Sequence, residues 1–173
     1  MNVKIENIRT RKSNVDFNAV DCFMSRPPMC LLKVPQSNLK KSKKKKKRIS
    51  RWQRIAEEAA KQSQRGVIPE VEDLFTIKEL KKIKEEYDLI LVLWASEKDK
   101  YLSELISNLD TNEKKKILLI VGPEGGFNEK EIDFLKNKLK SNSVSLGPRI
   151  LRTETAPIVG ISIILYELGD LGG

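Results

Sequence analysis

The sequence contains no histidine. That absence removes the commonest general base, and with it every Ser-His or Cys-His nucleophilic pair. Cysteine is nearly missing too, with only Cys22 and Cys30 in 173 residues. Two sulfurs without histidine do not make a standard structural zinc site, so no metal is expected. The longest apolar runs, such as residues 89–95, are far too short to span a bilayer. The opening Met-Asn-Val-Lys-Ile-Glu lacks the apolar core of a signal peptide. These absences together predict a cytoplasmic protein with reduced cysteines and no membrane partner. No internal repeat stands out.

The length leaves room for one core domain plus an extension. Of the formal charge of +9, eight units come from residues 40–48, which contain no acid, so the rest of the chain carries about +1. The run reads in two ways. It is either a solvated, flexible segment or an electrostatic attachment to RNA phosphates through Lys43, Lys44, Lys45, Lys46, Lys47 and Arg48.

Apolar periodicity organises the remainder. Residues 3–8 alternate like a strand, and residues 29–34 read as another, between Pro27-Pro28 and Pro35. Ser50 and Gln53 fit a capping box. The helix they open carries Trp52, Ile55, Ala56, Ala59 and Ala60 on one face, with Gly66 as its left-handed stop and Pro69 beyond. A lysine-rich helix is predicted over about residues 77–86, with Ile77, Leu80 and Ile83 inward. Residues 88–95 read as a strand covered on both faces. A helix over residues 97–109 follows, burying Leu102, Leu105, Ile106 and Leu109.

Ile117–Val121 is the next buried strand. Asn128 and Glu131 form a second capping box, opening a helix that presents Phe127, Ile132, Leu135 and Leu139. Residues 144–146 form the last strand. A final helix starts near Thr155, tolerates Pro157 in its first turn, and runs through Ile158, Ile161, Ile164, Leu165 and Leu168. Alternating strands and helices predict an α/β fold with a mainly parallel sheet flanked by helices.

Two loops stand out: Gly122-Pro-Glu-Gly-Gly126 and Leu146-Gly-Pro-Arg-Ile-Leu-Arg-Thr-Glu-Thr-Ala156. Each follows a predicted strand and leads into a helix, the position at which α/β folds hold ligands. The first lacks the Lys-Ser/Thr ending of a phosphate loop and is not a dinucleotide fingerprint. Gly125 and Gly126 permit positive φ and close approach of the backbone to a flat or compact ligand. Taken singly, each residue has a plainer reading: a Gly-Pro turn, a glutamate offsetting a helix dipole, an arginine in an ion pair. Two such loops one helix apart read as a ligand cradle.

In order and spacing, residues 121–127 and 145–156 look like the paired cofactor loops of the 16S ribosomal RNA uridine-N3 methyltransferase family. That family is a branch of the SPOUT, or trefoil-knot, methyltransferases. Residues 51–65 resemble its Arg-Trp…Glu-Ala…Gln-Ser helix, and the resemblance covers about residues 50–168. It implies a C-terminal knot in which the segment after Leu146 threads behind the first loop. It also implies S-adenosylmethionine as cofactor, with Gly122, Pro123, Glu124, Gly125 and Gly126 on one wall. Leu146, Gly147, Pro148, Ile150 and Leu151 form the other wall, closed by Thr155 and Ala156. Residues 94–97, led by Trp94, border the same pocket.

The implied reaction is methylation of N3 of a uridine in small-subunit ribosomal RNA, so the partner is that RNA or the small ribosomal subunit. Arg152 is the first candidate to stabilise the anionic ring and Arg149 the second, while Glu154 would orient Arg152 or accept a proton. With no histidine, the base is Glu154, Glu124 or solvent. Pairing through the terminal helix implies a homodimer. Members of the family carry a PUA-like barrel ahead of the knot domain and a Glu-Leu-Gly helix before the Arg-Trp helix. Here residues 1–27 are expected to be a poorly ordered remnant of that barrel, 28–49 the first strand and basic linker, and 50–173 the methyltransferase domain. The missing helix is expected to leave a sheet face exposed. Two other readings compete: a non-catalytic RNA-binding remnant that keeps the knot, and an unrelated nucleotide-binding α/β protein.

Overall fold

Among the described residues, four strands of mostly branched and apolar residues form a single parallel sheet. A computed structural model of the chain describes residues 20–24, 43–64, 68–69, 71, 77–109, 116–169 and 171. In chain order the elements are β1 (Val20–Met24), α1 (Lys43–Gln62), two 3-10 segments (Ile77–Lys82 and Lys84–Glu86), β2 (Leu89–Leu93) and α2 (Leu102–Ser107). They continue with β3 (Ile117–Val121), α3 (Glu129–Leu139), β4 (Asn142–Val144) and α4 (Ala156–Glu167). The strands lie in the order β1-β3-β2-β4, every pair parallel. Leu93 pairs with both Val121 and Val144, so three strands end at one level. The loops that leave them therefore share the carboxyl end of the sheet.

β3 is buried along its whole length, and its alternation divides the core in two. Ile117, Leu119 and Val121 pack with Leu91 and Leu93 against Leu102 and Ile106 of α2 and Ile164 of α4. Leu118 and Ile120 pack with Ile90 and Val92 against Ile132, Leu135 and Leu139 of α3, together with Leu80 and Ile83. The result is a three-layer α/β arrangement, as the alternation of elements predicts. The starts of β2 and β3 are tied reciprocally. The Asp88 N–H donates to the Lys116 carbonyl at 2.9 Å, and the Lys116 N–H donates to Asp88 Oδ2 at 2.7 Å.

α4 lies close on the sheet because Gly160 has no side chain. A Cβ there would stand 3.1 Å from Leu119 Cδ2 and 3.3 Å from Leu93 Cδ1. Gly160→Val is expected to lower stability by about 1–3 kcal/mol through overpacking. Chemical denaturation reads this as a lower midpoint, and an unchanged midpoint would contradict the packing described.

The structure departs from the sequence reading in several places. α1 begins at Lys43, so Lys43–Arg48 form its first turns instead of a linker. Lysine is a good helix former, and the helix extends back through the run. Ser50 is therefore inside the helix; its hydroxyl donates to the Lys46 carbonyl at 3.0 Å instead of capping. Gln53 holds a later segment in place: its amide donates to the Pro69 carbonyl at 3.2 Å and accepts from the Val71 N–H at 2.7 Å. Gln64, at φ 55°, adopts the left-handed conformation just past the helix; Gly66 lies outside the described residues.

The segment expected as a second helix is 3-10 instead, although Leu80 and Ile83 are buried as expected. α2 is shorter than predicted, and the last strand is Asn142–Val144, two residues earlier than predicted. β1 falls within the stretch assigned to a barrel remnant, yet pairs with β3 from Val20↔Ile117 to Met24↔Val121. The strand expected at residues 29–34 and the one at residues 3–8 lie outside the described residues. Among the described residues no helix is long and apolar enough to cross a membrane.

Candidate active site

The loop after β3 is built around its glycines. The Gly126 N–H donates to the Pro123 carbonyl at 2.8 Å, closing a tight turn that needs φ +71° at Gly126. The chain then enters α3 through the predicted capping box: Asn128 Oδ1 accepts from the Glu131 N–H at 2.9 Å, and Glu131 Oε2 accepts from the Asn128 N–H at 3.0 Å. Buried Phe127 seats the turn, its ring where a Cβ on Gly122 would stand at 3.2 Å.

The second loop is anchored by the segment that follows β2. The Trp94 N–H donates to the Val144 carbonyl at 3.1 Å, and the Ser145 N–H donates to the Lys100 carbonyl at 2.8 Å. Buried Ser145 brackets Gly147: its hydroxyl accepts from the Gly147 N–H and donates to the Gly147 carbonyl, both at 3.2 Å. Gly147 has φ +122°, a conformation that side chains strain against. The loop ends in a turn in which the Arg152 carbonyl accepts from the Thr155 and Ala156 N–H groups at 2.9 Å.

These two loops and the 94–96 turn enclose one cavity of about 700 Å³, within the range of small-molecule sites. Trp94, all five residues Gly122–Gly126, Leu146, Gly147, Pro148, Ile150, Leu151 and Ala156 line it, as do Arg149, Arg152 and Glu154. Thr155 does not. It is exposed, at the N-terminus of α4 and without a side-chain cap, because the Arg152 turn brings Ala156 to the wall instead. Glu97, expected at the pocket border, is likewise outside the lining.

Sequence reasoning missed Leu93 and Val144, strand ends that look like any other core position. Val121 and Ser145 lie inside the two stretches matched to cofactor loops but were not singled out as site residues. Of the basic run, Lys46 and Lys47 are exposed on α1, and neither lines the cavity.

The cavity floor is apolar and its mouth is charged. Arg152 Nη1 lies 3.9 Å from Glu154 Oε1, with the two side chains 87% and 56% exposed. An ion pair in such open surroundings adds little stability. It leaves a permanent cation at the opening. Gly125, Gly126 and Gly147 each have open space where a Cβ would stand. Backbone with open space beside it, at residues that line the cavity, suits a ligand that packs flat against it.

Behind the 94–96 turn, Glu97 accepts from the Ser143 hydroxyl and lies 3.8 Å from Lys136 Nζ. The Ser143 hydrogen bond, helped by the Asp99 N–H and the Lys136 charge, holds the Glu97 carboxyl below its ordinary value of 4.5 despite its burial. A depressed carboxylate contributes stability above the ordinary value and loses it as pH falls through the folded one. The stability gap between the native chain and Glu97→Gln is therefore expected to be largest near neutral pH and to shrink below about pH 4.5. Urea denaturation across pH checks this, and a constant gap would contradict it.

Residues 29–165 match the family model described as RNA methyltransferase domain. Over 133 residues the chain is 40% identical to ribosomal RNA small subunit methyltransferase E of Bacillus subtilis (strain 168), covering 76% of this chain and 52% of that protein. It is 35% identical over 114 residues to the protein of the same name from Rickettsia conorii, covering 66% and 45%. The chain thus spans about half the length of the curated relatives it matches.

A crystal structure of a ribosomal RNA small subunit methyltransferase E from Neisseria gonorrhoeae, bound to S-adenosyl methionine, shares the fold at a TM-score of 0.70. Identity there is 22%, over 92% of this chain and 69% of that one. With both cavity loops inside the matched span, the chain belongs to the RNA methyltransferase domain family.

Proposed function

We propose that this chain is an S-adenosylmethionine-dependent RNA methyltransferase that methylates N3 of a uridine in 16S ribosomal RNA. The observation that carries the reading is the closure of both glycine–proline loops and the 94–96 turn on one cavity. The three glycines with open space toward a Cβ fit a bent nucleoside-like cofactor, whose adenosine would lie between Gly122–Gly126 and residues 146–151. When bound, S-adenosylmethionine supplies a methyl group on a positively charged sulfur.

The chain's own residues do the rest. Arg152 at the mouth faces the uracil ring and stabilises the negative charge that forms as N3 gives up its proton. Glu154, 3.9 Å away, orients that guanidinium and is the candidate acceptor of the proton. Arg149 is the second cation of the opening. The segment after Leu146 passes behind the first loop as a trefoil knot, an arrangement general topology rules would not predict. α4 is apolar on all sides, and Ile158 and Tyr166 are 59% and 65% exposed, which supports pairing of two copies through this helix.

The methyltransferase domain takes in residues 50–173 together with the start of α1 and β1, which joins its sheet. Because the substrate is ribosomal RNA, the protein acts in the cytoplasm. No observation favours the non-catalytic reading.

The test is transfer of labelled methyl groups to small-subunit RNA, followed by nucleoside analysis. N3-methyluridine is the expected product, and a different methylated nucleoside would overturn the specificity. The basic start of α1 supplies RNA affinity without base selection. If about five of its charges engage single-stranded RNA, log affinity should fall against log salt with a slope near −3.5. A slope near zero would exclude that role.

A further inference from the structure

The turn that leaves β2 is held by side chains that the proposed reaction does not use. Trp94, Ala95 and Ser96 line the cavity, and Ala95 and Ser96 are exposed. Their shape is set from behind. The Glu97 N–H donates to the Trp94 carbonyl at 3.0 Å and closes the turn. The Glu97 side chain, only 11% exposed, accepts from the Ser143 hydroxyl on β4 and from the Asp99 N–H at 3.4 Å.

Lys136 of α3 reaches both ends of the same turn. Its ammonium lies 3.8 Å from Glu97 Oε2 and 5.1 Å from the centre of the Trp94 ring. A carboxylate removed from water this far is costly unless its partners are in place, so the three groups lock one another.

We propose that Glu97, with Ser143 and Lys136, is a positioning bracket that holds the Trp94–Ser96 wall in the shape that accepts the cofactor. Glu97 then sets cofactor affinity without touching it. This rests on reading the cavity as an S-adenosylmethionine site.

The experiment uses the full chain carrying Trp52→Phe, so that Trp94 is the only tryptophan. Glu97→Ala and Ser143→Ala are each expected to weaken S-adenosylmethionine binding about tenfold, the scale of one charge-assisted hydrogen bond. Quenching of Trp94 fluorescence by acrylamide should rise in both, without ligand present. Glu97→Gln keeps the shape and the Ser143 bond but loses the attraction of Lys136, so it should fall in between and remains available if the alanine variants fail to fold.

In methylation assays the KM for the cofactor should rise while kcat at saturation stays. A residue that only stabilises the fold would lower the unfolding midpoint and leave the affinity of the folded protein alone. Unchanged affinity, or unchanged Trp94 quenching, would overturn the bracket. A parent protein that binds no S-adenosylmethionine would instead sink the reading of the cavity.

Discussion

Replacing Arg152 with alanine is expected to lower methyl transfer by roughly 10²–10³-fold, the scale of losing one preorganised group at a developing anion. The uracil ring becomes negative only as its N3 proton leaves, so the interaction is strongest in the transition state and should appear in kcat. Affinity for cofactor should change little, because Arg152 is at the open mouth, 87% exposed, and is not part of the glycine walls. RNA affinity should also be nearly intact, since the charges proposed to hold RNA lie on α1. Arg152→Lys should recover only part of the rate, because a point charge lacks the planar fork of a guanidinium. Single-turnover kinetics with ribosomal RNA would check this. Full turnover by Arg152→Ala would show that the cation is an ordinary surface residue and move the role to Arg149.

The second large effect is expected at two glycines that the loops use differently. Gly147 sits at φ +122° with nothing within 4 Å of where a Cβ would stand, so Gly147→Ala meets no clash and tests the backbone alone. Holding alanine in that conformation costs on the order of 1–3 kcal/mol. The loop can escape that cost only by changing shape, which would break the hydrogen bonds from Ser145. Cofactor affinity should drop by roughly 10- to 100-fold, the same free energy read as binding. Gly125 also has open space but no positive φ, so Gly125→Ala should leave stability unchanged. Its affinity should fall nonetheless if the cofactor packs against that bare backbone. Titration calorimetry beside thermal unfolding separates the two cases. Native affinity in both variants would mean that neither glycine lies against a ligand.

Legibility in the sequence followed how local each signal was. Ile117–Val121 was readable to the residue because a strand covered on both faces is an unbroken apolar run. The Asn128–Glu131 box was readable because both of its hydrogen bonds lie within one helical turn. The same motif failed at Ser50. A capping box needs the helix to start there, and the lysines before it are good helix formers whose mutual repulsion does not stop the helix.

β1 was not legible at all. Val-Asp-Cys-Phe-Met has no clear alternation, and its strand character comes from pairing with β3, which lies far along the chain. In the site, glycine, proline and arginine announced the two loops, since those residues are expensive or exposed unless they are used. The apolar floor from Leu93, Val121 and Val144 carried no such mark, because a strand end facing a cavity has the composition of a strand end facing the core. Glu97 looked like a pocket residue by position. Only the fold turns its carboxylate toward Ser143 and Lys136.

Calorimetric titration of S-adenosylmethionine into the purified chain, after its monodispersity has been established, tests the cofactor site most directly. Saturable binding in the micromolar range, near one site per chain, is the predicted result. A well-folded sample that releases no heat and shows no saturation would contradict it, because the loops would then enclose a cavity that does not hold the cofactor.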